Sequence, residues 1–220
     1  MKKIIIIYFV FLTTLILATG CSIKKEKEVY NEFKEEYEKL NDDEHRNIKI
    51  NTNNPYIKIT LAELVEKIEN KETFYVYFGD SMCPWCRSVI EKSIEVANKN
   101  EISEIYYIDT WDEDGNEIFR DKSKIVDGKL ETINQGSDDY FKILEYFKDF
   151  VDNYTLEDEE GNHFLLAKGR IFLPSFFYIK KGEVRKKVTG LSEKQKKSDS
   201  KLTEDILKDE EETFDTFFNN

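Results

Sequence analysis

The chain has 220 residues and a formal net charge of −12, and 40% of its residues are hydrophobic, with 16 Phe and 12 Tyr. That length holds one domain of ordinary size plus a modest extra, with enough aromatic side chains for a real core. The acidic balance argues against a nucleic-acid-binding role. It becomes −14 without residues 1–20, which carry Lys2 and Lys3 and no acid.

Met1-Lys2-Lys3 is a short basic head, and Ile4 to Ala18 is an apolar run broken only by two threonines. Leu17-Ala18-Thr19-Gly20 then leads into Cys21. This is the outline of a secretory leader, with an uncleaved anchor as the other use of such a stretch. The approach to Cys21 resembles a bacterial lipoprotein signal, with Ala18 standing where leucine is commoner. The resemblance implies that residues 1–20 are a signal peptide and that Cys21 is acylated as the mature N-terminus. The protein would then sit on the extracytoplasmic face of a bacterial membrane without spanning it. Residues 21–50 are dense in Lys and Glu, with Val29, Tyr30, Phe33, Tyr37 and Leu40 as the main apolar positions. They read as a charged tether, an exposed or loosely docked helix leading to a domain over 51–218.

Within that domain Ile57 to Ile59 is a short strand. Thr60-Leu-Ala-Glu63 fits a capping box, and Leu61, Leu64, Val65 and Ile68 give one helical face. Phe74-Tyr-Val-Tyr-Phe78 reads as a buried central strand, broken by Gly79-Asp80-Ser81. Cys83-Pro84-Trp85-Cys86 follows at the start of a helix through Val89, Ile90, Ile94 and Ala97, and Ile102 to Ile108 is the next strand. This β-α-β-α-β order predicts parallel pairing.

Residues 110–168 are an insertion. Asp112 to Asn116 and Asp158 to Asn162 are turn-like; the first is no calcium loop, because Thr110 stands where the first ligand carboxylate belongs and Asp121 where a bidentate Glu is expected. Ser137 caps a predicted helix whose apolar face runs from Tyr140 and Phe141 to Val151 and Tyr154. Ile171 to Ile179 returns to strand composition around Pro174, which marks a special bend, read as a cis peptide after Leu173. A turn at Lys180-Lys181-Gly182-Glu183 and a strand to Val188 complete a hairpin, and Leu202 to Phe218 is a final amphipathic helix.

The chemistry sits in the cysteines. There are three, at 21, 83 and 86. If Cys21 is acylated, Cys83 and Cys86 are the remaining thiols, and a staple across three residues would add little stability. A pair at a helix N-terminus instead suits reversible disulfide exchange, the first thiol gaining thiolate character from free N–H groups and the helix dipole.

Redox motif, Leu-Pro strand, Gly-Glu hairpin and final helix, in that order, resemble the thioredoxin superfamily over roughly 55–109 and 168–218. Within it the chain is most similar to the bacteriocin-transport-accessory type. The resemblance implies an α/β, thioredoxin-like fold: a central mixed sheet flanked by helices, with a helical insertion before a cis-proline. It makes Cys83 the nucleophile and Cys86 the resolving thiol, and Pro84 and Trp85 the dipeptide that helps set redox poise. Trp85, Leu173 and Pro174 would contact substrate. It implies an extracytoplasmic thiol–disulfide oxidoreductase for protein or peptide thiols and disulfides, with a redox partner at the membrane and no cofactor. The alternative is an accessory or binding module for peptide export. Metal handling finds no support, since His45 and His163 lack ligand spacing to the pair. Tyr77 stands where many thioredoxins hold a buried acid, and Asp80 reads as too exposed to replace it.

Overall fold

A computed structural model describes residues 32–111, 117 and 119–219. The expected leader, Cys21, residues 21–31 of the expected tether and the Asp112–Asn116 turn lie outside them.

Helix α1 spans residues 32–38. Strand β1 (Tyr56–Lys58) follows, then α2 (Leu61–Glu69), β2 (Phe74–Gly79), α3 (Pro84–Lys99) and β3 (Ile105–Asp109). Residues 121–170 supply β4 (Asp121–Val126), β5 (Lys129–Gln135), α4 (Asp138–Tyr146), β6 (Asp152–Glu157) and β7 (His163–Arg170). The chain closes with β8 (Ser175–Lys180), β9 (Glu183–Val188) and α5 (Glu204–Phe218).

The main sheet runs β1-β3-β2-β8-β9, with β1, β3 and β2 parallel and β8 and β9 antiparallel. Strand alternation sorts its side chains into two cores. Tyr77, Tyr107 and Phe176 point to one face, where Val89 and Ile90 of α3 and Phe214 and Phe217 of α5 cover them. Their neighbours Val76, Phe78, Ile108 and Phe177 point to the other, covered by Leu64 and Ile68 of α2 and Ile143 and Phe147 of α4. A central mixed sheet with helices on both faces, parallel β1–β3 and an antiparallel hairpin, is the thioredoxin-like arrangement.

Local chemistry sets the ends of these elements. Thr60 and Glu63 form a reciprocal capping box: the Glu63 N–H donates to Thr60 Oγ1 at 3.2 Å and the Thr60 N–H to Glu63 Oε2 at 2.8 Å. Such a cap contributes about 1 kcal/mol. Lys181 and Gly182 both have positive φ, 55° and 77°, in the two-residue turn between β8 and β9, which is why glycine is useful there.

Two expectations change. Residues 32–50 are not a solvated tether. Phe33, Tyr37, Ile48 and Ile50 are all buried in the α3–α5 core, and Phe33 stacks on Tyr56 with centroids 4.5 Å apart. The segment is charged on one side only, and its sparse aromatics are the ones that dock. In the insertion the Ser137-capped helix forms but ends at Tyr146, and Tyr154 lies in β6. The N–H groups of Phe150 and Val151 both turn back to the Phe147 carbonyl, at 2.7 and 3.1 Å, which closes the helix. Two antiparallel hairpins, β4–β5 and β6–β7, flank it. Their strands are mostly exposed, so a one-sided hydrophobic pattern was too weak to announce them.

Glu210 of α5 is fully buried, and among the described residues neither of its carboxylate oxygens has a hydrogen-bond partner. Burial outweighs the attraction of Lys92 and Arg46 and pushes its pKa up to about 7. The folded state therefore binds this proton more tightly than the unfolded chain does. Its contribution is present below the ordinary value of 4.5 and is lost as pH rises through 7. Thermal melts at pH 5 and pH 8 should show Glu210→Gln stabilising the protein at pH 8 and leaving it nearly unchanged at pH 5. Equal effects at both pH values would contradict the assignment.

Candidate active site

Strand β2 ends at Gly79, and a short loop carries the chain through Asp80, Ser81 and Met82 into α3. The Asp80 side chain accepts the Met82 N–H at 2.7 Å, while its carbonyl accepts the Cys83 N–H at 3.2 Å. These two bonds shape the entry to the helix and leave Cys83 as its N-cap, with Pro84 in the first turn, where its missing N–H costs nothing.

The two cysteines then meet different surroundings. Cys83 is half-buried and Cys86 is fully buried. The Cys86 N–H donates to Cys83 Sγ at 3.4 Å. Hydrogen bonding from the Cys86 thiol, and from the backbone N–H groups of Cys86 and Trp85, pulls the Cys83 thiol down from its ordinary 9.0 to about 7. At neutral pH that makes roughly half of Cys83 thiolate, against about one molecule in a hundred at the ordinary value. Burial, with Cys83 beside it, pushes the Cys86 thiol well up. One sulfur is thus poised to attack and the other is kept protonated in the core.

The other residues singled out by sequence fall near this pair or outside the described chain. The register of β2 against β8 pairs Phe78 with Ser175, so Pro174 lies at the same end of the sheet as the cysteine loop. The Leu173–Pro174 peptide bond is cis. Ser175 Oγ donates to the Phe172 carbonyl at 2.7 Å and holds this bend. Leu173 and Cys83 pack against the same core cluster. Trp85 is half-buried and Pro84 exposed on the first turn of α3. Met82 and Phe172, which sequence did not single out, leave large apolar surfaces open on the flanking loops, 53% and 41% exposed. Among the described residues no group of three or more His, Cys, Asp or Glu could hold a metal ion. His45 is engaged with Asp42 at 2.8 Å, far along the chain from the cysteines.

Asp80 requires a correction. It is only 6% exposed, not a surface acid, and burial raises its carboxyl. Its charge pushes the Cys83 thiol upward, while its backbone N–H draws the Cys86 thiol downward.

Arg87 went unnoticed in the sequence, because a basic residue in an amphipathic helix ordinarily faces water. Here it is 1% exposed. Its Nε donates to the Arg46 carbonyl at 2.9 Å, and Nη1 to the carbonyls of Tyr37 and Ser81, both at 2.9 Å. Nη2 reaches the Leu40 carbonyl at 3.3 Å and Asn41 Oδ1 at 2.8 Å. The residue beside Cys86 therefore ties the N-terminal segment to the cysteine loop.

Tyr77 takes the place under the pair. Its hydroxyl lies 3.0 Å from that of Tyr37, with both residues fully buried. Further off, Lys58 bridges Glu36 at 3.1 Å and Asp109 at 2.8 Å, and Tyr107 Oη donates to Glu36 at 2.8 Å. With one ammonium to two carboxylates the cluster keeps an acidic balance, and burial, with Asp109 beside it, raises the Glu36 carboxyl.

No family model matches the chain, and no curated protein matches it. Among solved structures it is similar to thioredoxin O2 from Arabidopsis thaliana in the oxidized state. The two are 12% identical; the match covers 63% of this chain and 85% of that one, with a TM-score of 0.33. At that identity and score the likeness bears on neither activity nor substrate.

Proposed function

We propose that the chain is a thiol–disulfide oxidoreductase acting on protein or peptide thiols and disulfides through Cys83 and Cys86. One observation carries this reading: two thiols one helical turn apart, the outer one held near neutral pKa and the inner one buried and protonated. In the reductive direction the Cys83 thiolate attacks a substrate disulfide, forming a mixed disulfide and releasing one substrate thiolate. Cys86 then attacks the Cys83 sulfur, forming the Cys83–Cys86 disulfide; the second substrate thiolate leaves and takes up the proton that Cys86 gives up. In the oxidative direction a substrate thiolate attacks Cys83 of the Cys83–Cys86 disulfide and releases Cys86, which takes up a proton; a second substrate thiolate then attacks the mixed disulfide, forming the substrate disulfide and releasing the Cys83 thiolate. Leu173 and Pro174 would present backbone to an extended substrate, and Trp85, with Met82 and Phe172, apolar surface.

This reading also takes the protein to the extracytoplasmic face of a bacterial membrane, anchored at Cys21 and served by a membrane redox partner. Its support is the leader sequence alone. Among the described residues no helix is long and apolar enough to cross a membrane. In cells fed labelled palmitate, the full chain should take up label, and Cys21→Ser should not; equal labelling of both would remove the anchor.

For the redox pair, alkylation of Cys83 by iodoacetamide should rise with pH with a midpoint near 7, while Cys86 reacts only at far higher pH. A midpoint near 9 would remove the activated nucleophile. Cys83→Ser should abolish reduction of disulfide substrates, and Cys86→Ser should accumulate the mixed disulfide. A Cys83→Ser protein that kept its biological role would favour the accessory-module reading. Titration in glutathione or dithiothreitol buffers then assigns direction: a two-electron transition near about −270 mV groups the protein with reductants, one near about −120 mV with oxidants.

A further inference from the structure

Tyr77 is the third residue before Asp80 on the central strand, and its ring is fixed from several sides. Phe176 stacks on it at 4.4 Å, Tyr107 at 5.6 Å, and Tyr56 meets it edge-on at 5.5 Å. The phenol lies over the backbone of Gly79: a Cβ there would sit 2.1 Å from Tyr77 Cζ and 2.2 Å from its oxygen. A glycine at 79 is therefore what lets the hydroxyl lie along the strand toward the cysteine end of the sheet. At that end it lies in one buried cluster with Cys86, near enough that each group shifts the other's proton affinity, and its hydroxyl is 3.0 Å from that of Tyr37. Tyr37 arrives from the N-terminal segment and is itself fixed by the Arg87 bond to its carbonyl.

Each phenol has a single hydrogen to donate. If Tyr37 donates to Tyr77, the Tyr77 hydrogen is free for sulfur; the opposite orientation leaves the sulfur to the Asp80 backbone N–H alone. A negative charge on Cys86 selects the first orientation, because a hydrogen bond to an ionised acceptor is roughly twice as strong as a neutral one. We infer that Tyr77, oriented by Tyr37, donates its hydroxyl hydrogen bond to the Cys86 sulfur in the step where that sulfur carries charge. That step is the attack on the mixed disulfide, or in reverse the departure of Cys86 from Cys83. The inference rests on the redox reading above and adds to it a donor on the central strand, oriented by a segment outside the minimal fold.

The phenols do not act as bases. Burial holds Tyr37, Tyr77 and Tyr107 protonated, and the charges of Glu36 on α1 and Asp80 on the loop act in the same sense on Tyr37. Burial likewise keeps Tyr56 of β1, which also feels Cys86, protonated, and Cys83 at the start of α3 is the neighbouring thiol. A carboxylate under the pair would take a proton from Cys86; this pair of hydroxyls instead stabilises the sulfur once its proton has left. The proton itself goes to the departing substrate thiolate.

The test uses the full chain carrying Cys21→Ser, in its reduced form, with glutathione disulfide as the probe. The first step releases one glutathione thiolate and forms the Cys83–glutathione mixed disulfide. The second releases the other glutathione as Cys86 bonds to Cys83. Acid quenching and mass spectrometry resolve the two. In Tyr77→Phe the first step and the Cys83 alkylation profile should match the parent. The second step should slow about tenfold, the loss expected for one hydrogen bond to a charged acceptor. Its pH profile should move to higher pH. Tyr37→Phe, which keeps the ring, should show the same pattern with a smaller loss, about threefold, and carries the test if Tyr77→Phe does not fold. A second step within twofold of the parent and an unmoved profile would overturn the inference while leaving the redox reading intact. A parent protein that forms no mixed disulfide would remove both.

Discussion

The buried guanidinium of Arg87 is the interaction on which the site depends. A charge taken out of water is costly unless every donor is satisfied. Here it is met by five neutral oxygens drawn from three places: the cysteine loop at Ser81, the end of α1 at Tyr37 and Leu40, and the following turn at Asn41 and Arg46. No carboxylate takes part, so the guanidinium keeps its charge without adding negative charge near the thiols. The bonds are to backbone in four of the five cases, which fixes segment positions more than side-chain conformations. One residue after Cys86, the helix that carries the cysteine pair is thereby locked to a segment more than forty positions earlier in the chain.

That lock has a chemical consequence. With α1 held in place, Tyr37 seals the inner end of the site and Cys86 has no access to water. Burial then separates the two thiols in proton affinity, although they share one helical turn and bond to each other. Donors at the helix start lower Cys83, and the core raises Cys86. Opposite shifts in adjacent groups are the arrangement that assigns different roles to identical side chains. Asp80 works against the first shift by bringing a buried acid close to Cys83, yet the sum still leaves that thiol near neutrality.

The insertion before Pro174 contributes to the opposite core. Its helix α4 packs with α2 beneath Phe78 and Phe177, while the two hairpins stand out with little buried surface. Tyr154 of β6 lies over the Arg170 guanidinium at 4.0 Å and meets Phe172 edge-on at 5.9 Å. The second hairpin is thus braced against the loop that leads to Leu173 and Pro174, and it reaches the rim of the site, though it adds no group to the sulfurs.

The features legible from the chain alone are local or periodic. The cysteine pair at a helix start, the alternation from Phe74 to Phe78, the Thr60 cap, the parallel order of three strands and the closing hairpin all follow from neighbours within a few residues. The rest depends on packing, because it concerns polar and aromatic side chains whose surroundings are supplied by distant segments. Arg87, Asp80 and Glu210 look like surface charges in sequence and are buried in the fold. Phe33 and Tyr37 look like the sparse apolar positions of a tether and are core. Tyr37 and Tyr77 meet across forty residues. Their contact follows from the packing of α1 against the sheet, and no periodicity in either segment encodes it.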